Sequence, residues 1–165
     1  MESPVDRFMA QQGFGDEEPS RRLWHFRALQ FQPTVLGVFV VLAIIFQSQA
    51  VFFGLAAILI WNVIFPRLNV FERVYDWVVG DPMSKPKLEP APAPRRFAQG
   101  MAASFMAITG LAIATGWWIV AYVFQAFLVI ALVALLAGKF CMGSYIFHTL
   151  QGRSDFANST CPWSK

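Results

Sequence analysis

Residues 28–66 read ALQFQPTVLGVFVVLAIIFQSQAVFFGLAAILIWNVIFP, a stretch without a single charged side chain. A second uncharged stretch, residues 97–138, reads FAQGMAASFMAITGLAIATGWWIVAYVFQAFLVIALVALLAG. One helical crossing of a hydrocarbon core about 30 Å thick takes roughly 20 apolar residues, so each stretch is about twice the length of one crossing. Each is interrupted near its middle, by Gln47-Ser48-Gln49 and by Thr115-Gly116-Trp117-Trp118. The expected fold is an all-α membrane protein with four transmembrane helices arranged as two hairpins. The helices are expected roughly over 33–47 (completed by 29–32), 50–65, 97–115 and 118–138.

Composition agrees with that class. The chain has 165 residues, is 56% hydrophobic and has a mean hydropathy of +0.49, which suits one small membrane domain. Residues 1–19 are acidic and lack an apolar run, so no cleaved signal peptide is expected and the first hairpin carries targeting. All 13 Lys and Arg residues lie outside the two apolar stretches and outside both hairpin tips. The positive-inside rule then puts both termini and the central loop in the cytoplasm. The 10 acidic residues lie on the same side. The net charge of +3 therefore describes a mixed face, not a nucleic-acid patch.

Five regions follow: a cytoplasmic arm (1–27), the first hairpin (28–66), an amphipathic helix with a Pro-rich linker (67–96), the second hairpin (97–138) and a cytoplasmic tail (139–165). The arm is expected to be mobile or partner-bound up to residue 19, with Ser20 capping an interfacial helix that carries Trp24. After Pro66, the residues Leu68, Phe71, Val74, Tyr75 and Val78 recur at helical spacing, with Glu72, Arg73 and Asp76 opposite. This predicts an amphipathic helix on the cytoplasmic membrane surface. The interfacial aromatic residues are Trp24, Phe71, Tyr75, Trp77, Trp117 and Trp118. Lys85 to Pro94 is expected to be an extended spacer. Arg-x-x-Gln precedes each hairpin, at Arg27 and at Arg96, a faint echo of an internal repeat.

Helices in lipid associate through small residues and polar contacts. Ala103, Ala107, Gly110 and Ala114 line a face of the third helix, Ala134 and Gly138 pair on the fourth, and Asn62 and Gln125 are expected to hydrogen-bond between helices. No ionisable residue lies in mid-span, which speaks against a proton-coupled pump. Phosphate-loop, dinucleotide and zinc-protease motifs are missing, so no enzyme, metal site or resident cofactor is expected. His25 and His148, near the interface, are the weak candidates for holding a pigment or metal. Cys141 lies close to Lys139, which favours a thiolate. It is expected at the negative end of the fourth helix, which opposes one. Cys141 and Cys161 face a reducing compartment, where a structural disulfide is not expected.

Three segments carry a resemblance: Pro66-Arg67-Leu68-Asn69-Val70-Phe71-Glu72-Arg73-Val74-Tyr75, Pro94-Arg95-Arg96-Phe97-Ala98-Gln99-Gly100 and Phe140-Cys141-Met142-Gly143-Ser144-Tyr145. In order and spacing they resemble a bacterial integral-membrane family, domain of unknown function 4395, over roughly Phe26 to Gly152. The resemblance implies four membrane helices, a bacterial inner-membrane location and association with thioredoxin-like or sulfur-transfer proteins. The family's last segment resembles Phe-Cys-x-Gly-Cys. Here Ser144 stands in place of the second cysteine, so Cys141 lacks a neighbouring thiol to resolve a mixed disulfide.

The leading functional expectation is a non-catalytic membrane accessory or anchoring subunit, in contact with lipids and other membrane subunits. The alternative is a thiol or sulfur-handling protein that works through Cys141 with a cytoplasmic thioredoxin-like partner. A small-molecule conduit ranks third. Bound lipid is expected, and a pigment is a further candidate.

Overall fold

The computed structural model of the chain describes residues 3–16, 18–80, 82 and 89–161; the side chains of Pro19 and Ser20 are not described. The linker residues 85–88 lie outside the described residues, and Ser20 is not a cap, because α2 begins at Pro19 with Glu18 in the N-cap position. Among the described residues there are eight α-helices and no strand: α1 (Pro4–Gln12), α2 (Pro19–Ile45), α3 (Gln49–Ile64), α4 (Val70–Tyr75), α5 (Ala93–Ala114), α6 (Trp118–Leu136), α7 (Met142–Leu150) and α8 (Ser154–Ser159). Three are long and apolar enough to cross a membrane: α2 from Arg21 onward, α5 and α6. The apolar α3 has 16 residues, about 24 Å at ~1.5 Å per residue.

The first segment is not a loose arm. Ser3 and Asp6 form a reciprocal capping box: the Asp6 N–H donates to Ser3 Oγ and the Ser3 N–H to Asp6 Oδ2, each at 3.1 Å. Pro4 supplies a preset first turn. The helix then buries Phe8, Met9, Gln11 and Gln12. Phe8 meets Phe26 edge to face at 5.5 Å, and Arg22 donates to Asp6 at 2.7 Å. The expectation of a mobile arm omitted this amphipathic face.

No break separates arm from span either, because α2 runs unbroken through Pro33. Proline removes the donor to the Leu29 carbonyl. Thr34 Oγ1 donates to the next carbonyl, that of Gln30, at 2.7 Å. One core joins the four apolar helices: Leu36, Val40 and Ala43 from α2, Phe52, Leu55, Ala56 and Leu59 from α3, Ala103 and Met106 from α5, and Leu128 from α6. The most extensive contact runs between α3 and α5, and α6 is the least buried of the three long helices.

The two turns differ in depth. Gln47, in the turn between α2 and α3, exchanges hydrogen bonds with Gln125 of α6, at 3.3 Å and 2.9 Å. Gln125 stands seven residues beyond Trp118, the first residue of α6, which is ~10 Å along the helix. The α5–α6 turn therefore projects past the α2–α3 turn. At the opposite end, the short helices α1, α4, α7 and α8 gather around the start of α5 and the middle of α2.

Candidate binding site

At that end the second family-like segment supplies Arg95 and Gln99, one turn apart on α5. Both are buried. Arg95 Nη2 and Gln99 Nε2 each donate to Gln32 Oε1 of α2 at 3.0 Å. Arginine has only donors, so it fixes which end of the Gln32 amide faces it. The Gln32 oxygen then requires the NH2 of Gln99, and the Gln99 oxygen is left over. Gln99 Oε1 and Arg95 Nη1 are buried without a hydrogen-bond partner among the described residues.

The first segment supplies the counter-ion. Glu72 Oε1 lies 3.3 Å from Arg95 Nη2, a close ionic contact without hydrogen-bond geometry. Two asparagines aim it. Asn69 Oδ1 caps α4 by accepting from the N–H groups of Phe71 and Glu72, at 3.1 Å and 3.5 Å, and Asn62 Oδ1 accepts from Val70 N–H at 3.1 Å. Burial raises the Glu72 carboxyl above the usual carboxylate range, with Arg95 opposing the shift. Glu72 thus faces inward, whereas the sequence pattern placed it on the outer polar face. The outward residues of α4 and the following turn are Val70, Arg73, Val74, Trp77 and Val78.

The third segment completes the group. Cys141 is the N-cap of α7 and is buried. It stands at the positive end of that helix, not at the negative end of α6, which stops at Leu136. Its N–H donates to Gln11 Oε1 at 2.8 Å. Gln11 joins three elements: Nε2 reaches Thr160 Oγ1 at 3.5 Å, and its carbonyl lies 3.1 Å from His148 Nε2. A carbonyl there requires the Nε2–H tautomer of His148. Lys139 Nζ sits 5.4 Å over the Phe26 ring.

Arg95, Gln99 and Cys141, but not Glu72, bound one end of a cavity of about 350 Å³ between α2, α5, α6 and α7, within the size range of small-molecule sites. Gln12, Gln32, Arg95, Gln99 and Cys141 line the polar end. The walls are apolar, with Leu36, Leu59, Met106 and Leu128 among them. Three stretches far apart in sequence therefore build one site.

The other sequence candidates are placed as follows. His25 is buried, its ring 5.2 Å from Phe14, and His148 packs on Phe156 at 4.8 Å. Among the described residues, no group of three or more His, Cys, Asp or Glu could hold a metal, and Cys141 and Cys161 form no disulfide with each other. Ala103 is buried, Ala107 is partly buried, and Ala114 is exposed at the end of α5. Gly110 admits the Phe53 ring, whose atoms would stand 3.1–3.2 Å from a Cβ there. Gly138 was expected to pair with Ala134 in helix packing. Its close approach is instead to its own chain, since a Cβ would lie 2.7 Å from the Ala134 carbonyl oxygen. Asn62 bonds to the α4 backbone, not to another span. Trp24 stacks at 5.2 Å on Tyr75, and Phe31 lies 5.3 Å from the same ring. Phe71 packs against the core, while Trp77, Trp117 and Trp118 are exposed.

Arg95, Gln99 and Glu72 were named from sequence only as motif or polar-face residues, and none of them, nor Gln32 or Gln11, was expected to form a site. The usable signal was an arginine and a glutamine at i and i+4, at the mouth of an apolar helix, where charge and amide share one face.

The family model for Domain of unknown function (DUF4395) matches residues 26–152. The chain belongs to this family. No curated protein and no solved structure gives a match. The DUF4395 match spans the two segments that line the cavity and the one that carries Glu72 beside Arg95.

Proposed function

We propose that this DUF4395 chain is a four-span protein of the bacterial inner membrane, with both termini and the central loop cytoplasmic. In this reading it is a non-catalytic accessory protein whose working part holds a lipid-like molecule. α3 is the fourth span, short because its turn ends at the depth of Gln125. The orientation rests on the basic residues, all of which fall outside the apolar stretches and their turns. The outward apolar faces of α2 and α6 then meet lipid or neighbouring subunits.

The observation that carries this function is the cavity itself: long apolar walls ending at a polar end lined by Gln12, Gln32, Arg95 and Gln99. That arrangement fits an amphiphile's tail and head. The test is native mass spectrometry of the protein released from its membrane in mild detergent. A bound amphiphile is expected at one per chain, and Ala131→Phe, which fills the cavity wall, is expected to remove it without unfolding the protein. Identical spectra for the wild type and Ala131→Phe would refute this function.

One observation favours the thiol reading as second choice: Cys141 lines the same cavity. Its burial puts it out of reach of a thioredoxin-like partner unless α7 moves. Capture of a mixed disulfide between Cys141 and a cytoplasmic protein would promote that reading.

A further inference from the structure

α1 covers the polar end of the cavity. Phe8 and Gln12 stand four residues apart, on one face of that helix, and both line the cavity. Every other residue that lines it falls within the DUF4395 match of residues 26–152, whereas α1 lies outside that match. The cavity thus belongs to the matched body, and a segment ahead of that body closes it.

α1 can come away without disturbing that body. Its buried Phe8 and Met9 join Phe14 and Leu29 in a small cluster of their own, apart from the core of the four apolar helices. Its ion pair to α2 is partly exposed, at 32% for Asp6 and 27% for Arg22. Gln11 is the latch, through the Cys141 N–H at 2.8 Å and the His148 ring at 3.1 Å. The chain leaves α1 through Gly13, held at φ +93° in the left-handed region, and then Gly15. Glycine passes readily between left- and right-handed backbone conformations. Helices with so small a cluster of their own lie at the low-stability end of a fold, from which moving elements are drawn.

Gln12 ties α1 to what the cavity holds. Its side-chain amide has no hydrogen-bond partner among the described residues, and neither has Gln32 Nε2. Both groups line the cavity and, unlike Gln99 Oε1, both keep accessible surface. A polar head set between them joins α1 to α2.

We propose that α1 is the lid of the cavity, closed over a bound amphiphile through Gln12 and opened about Gly13 and Gly15, so that the polar end exchanges with the aqueous side. This inference rests on the amphiphile-holding function above and adds its regulation. An occupant that contacts Gln12 favours the closed lid, and closure retains the occupant by the same factor.

Trypsin tests the lid in the full chain, held in nanodiscs of its own membrane lipids, because cleavage after Arg7 requires α1 to open. Release of residues 1–7 is timed by mass spectrometry. Ala131→Phe, which excludes the amphiphile from the α6 wall, is expected to speed release roughly fivefold or more. Gln12→Leu is expected to speed it similarly alone, and to add less than about twofold to Ala131→Phe, because one lost contact accounts for both. Gly13→Ala would place a Cβ 2.8 Å from the Pro92 Cβ. It is expected to open the lid and to lower the bound amphiphile in native mass spectra about fivefold or more. Circular dichroism checks that each variant keeps its helices, and stripping the amphiphile by detergent exchange replaces Ala131→Phe if that variant fails to fold. Three results overturn the lid: wild-type release rates in the emptied protein, fully multiplicative effects of Gln12→Leu and Ala131→Phe, or full occupancy in Gly13→Ala. Amphiphile in the wild-type spectra then leaves the cavity function standing. Wild-type spectra without amphiphile overturn both.

Discussion

Gly143 of α7 touches Ala98 of α5 so closely that a Cβ at Gly143 would lie 2.6 Å from the Ala98 Cβ and 2.7 Å from its Cα. The helices cross there backbone to backbone, and the crossing holds Cys141 beside the cavity. A glycine that looks unremarkable in sequence therefore sets the position of the third segment on the second.

Gly143→Ala should destabilise the protein in detergent by roughly 1–3 kcal/mol or more, the cost of overpacking against rigid backbone. Ala98→Gly in the same chain should recover part of the loss, because it removes the nearer of the two atoms. Thermal unfolding of the two single variants and the double variant measures the coupling. Strict additivity would refute the crossing.

Glu72→Leu should cost roughly 3–5 kcal/mol, because it leaves Arg95 as an uncompensated buried charge. The double variant Glu72→Leu/Arg95→Met should cost much less than the sum of the singles. Arg95→Met should also enlarge the pH dependence that the raised Glu72 pKa already confers. Burial holds the folded Glu72 pKa above its ordinary value of 4.5, and loss of Arg95 removes the influence that opposes this. The folded state then binds the proton more tightly than the unfolded state. Stability should fall as pH rises from about 4.5 through the raised folded value, then level off. A profile for Arg95→Met no steeper than that of the wild type would contradict the pairing.

Asp6 should behave in the opposite sense. The Ser3 hydroxyl, and then Arg22, hold its carboxyl below the ordinary 3.8. Its contribution to docking α1 is present above that value and is lost as pH falls through the depressed folded value. Asp6→Asn should remove this acid-dependent step, read as protease sensitivity of α1 between pH 5 and about pH 2. An unchanged acid profile in Asp6→Asn would show that another group governs the step.

The unequal turns give a test of topology. With Cys161→Ser and Cys141→Ser as background, a cysteine at Gly116 should react readily with an impermeant maleimide from outside intact cells. One at Ser48 should react more slowly, because its turn is tied to Gln125 about 10 Å deeper. Equal rapid labelling would place both turns at the same depth. Labelling of both only after lysis would reverse the orientation.

The long apolar helices and their turns were legible because hydropathy and the absence of charge are local signals. The extent of α2 was less so: Pro33 and the charged lead-in suggested two elements, yet one helix runs through both. The site was hidden for a physical reason. Arg95 and Glu72 look like surface charges beside a membrane until tertiary contact pairs them. Gln11, Gln32 and Gln99 have no helical periodicity in common, because they belong to three different helices. Cys141 stood out from its motif, but its helix end was misjudged because α6 stops five residues earlier and α7 begins directly after it.

The most direct measurement is a density map of the protein purified from its own membrane into lipid nanodiscs. Elongated density is expected along the apolar walls, with a compact head at the end lined by Gln12, Gln32, Arg95, Gln99 and Cys141. A well-resolved map in which protein side chains close the cavity would contradict the amphiphile-holding function.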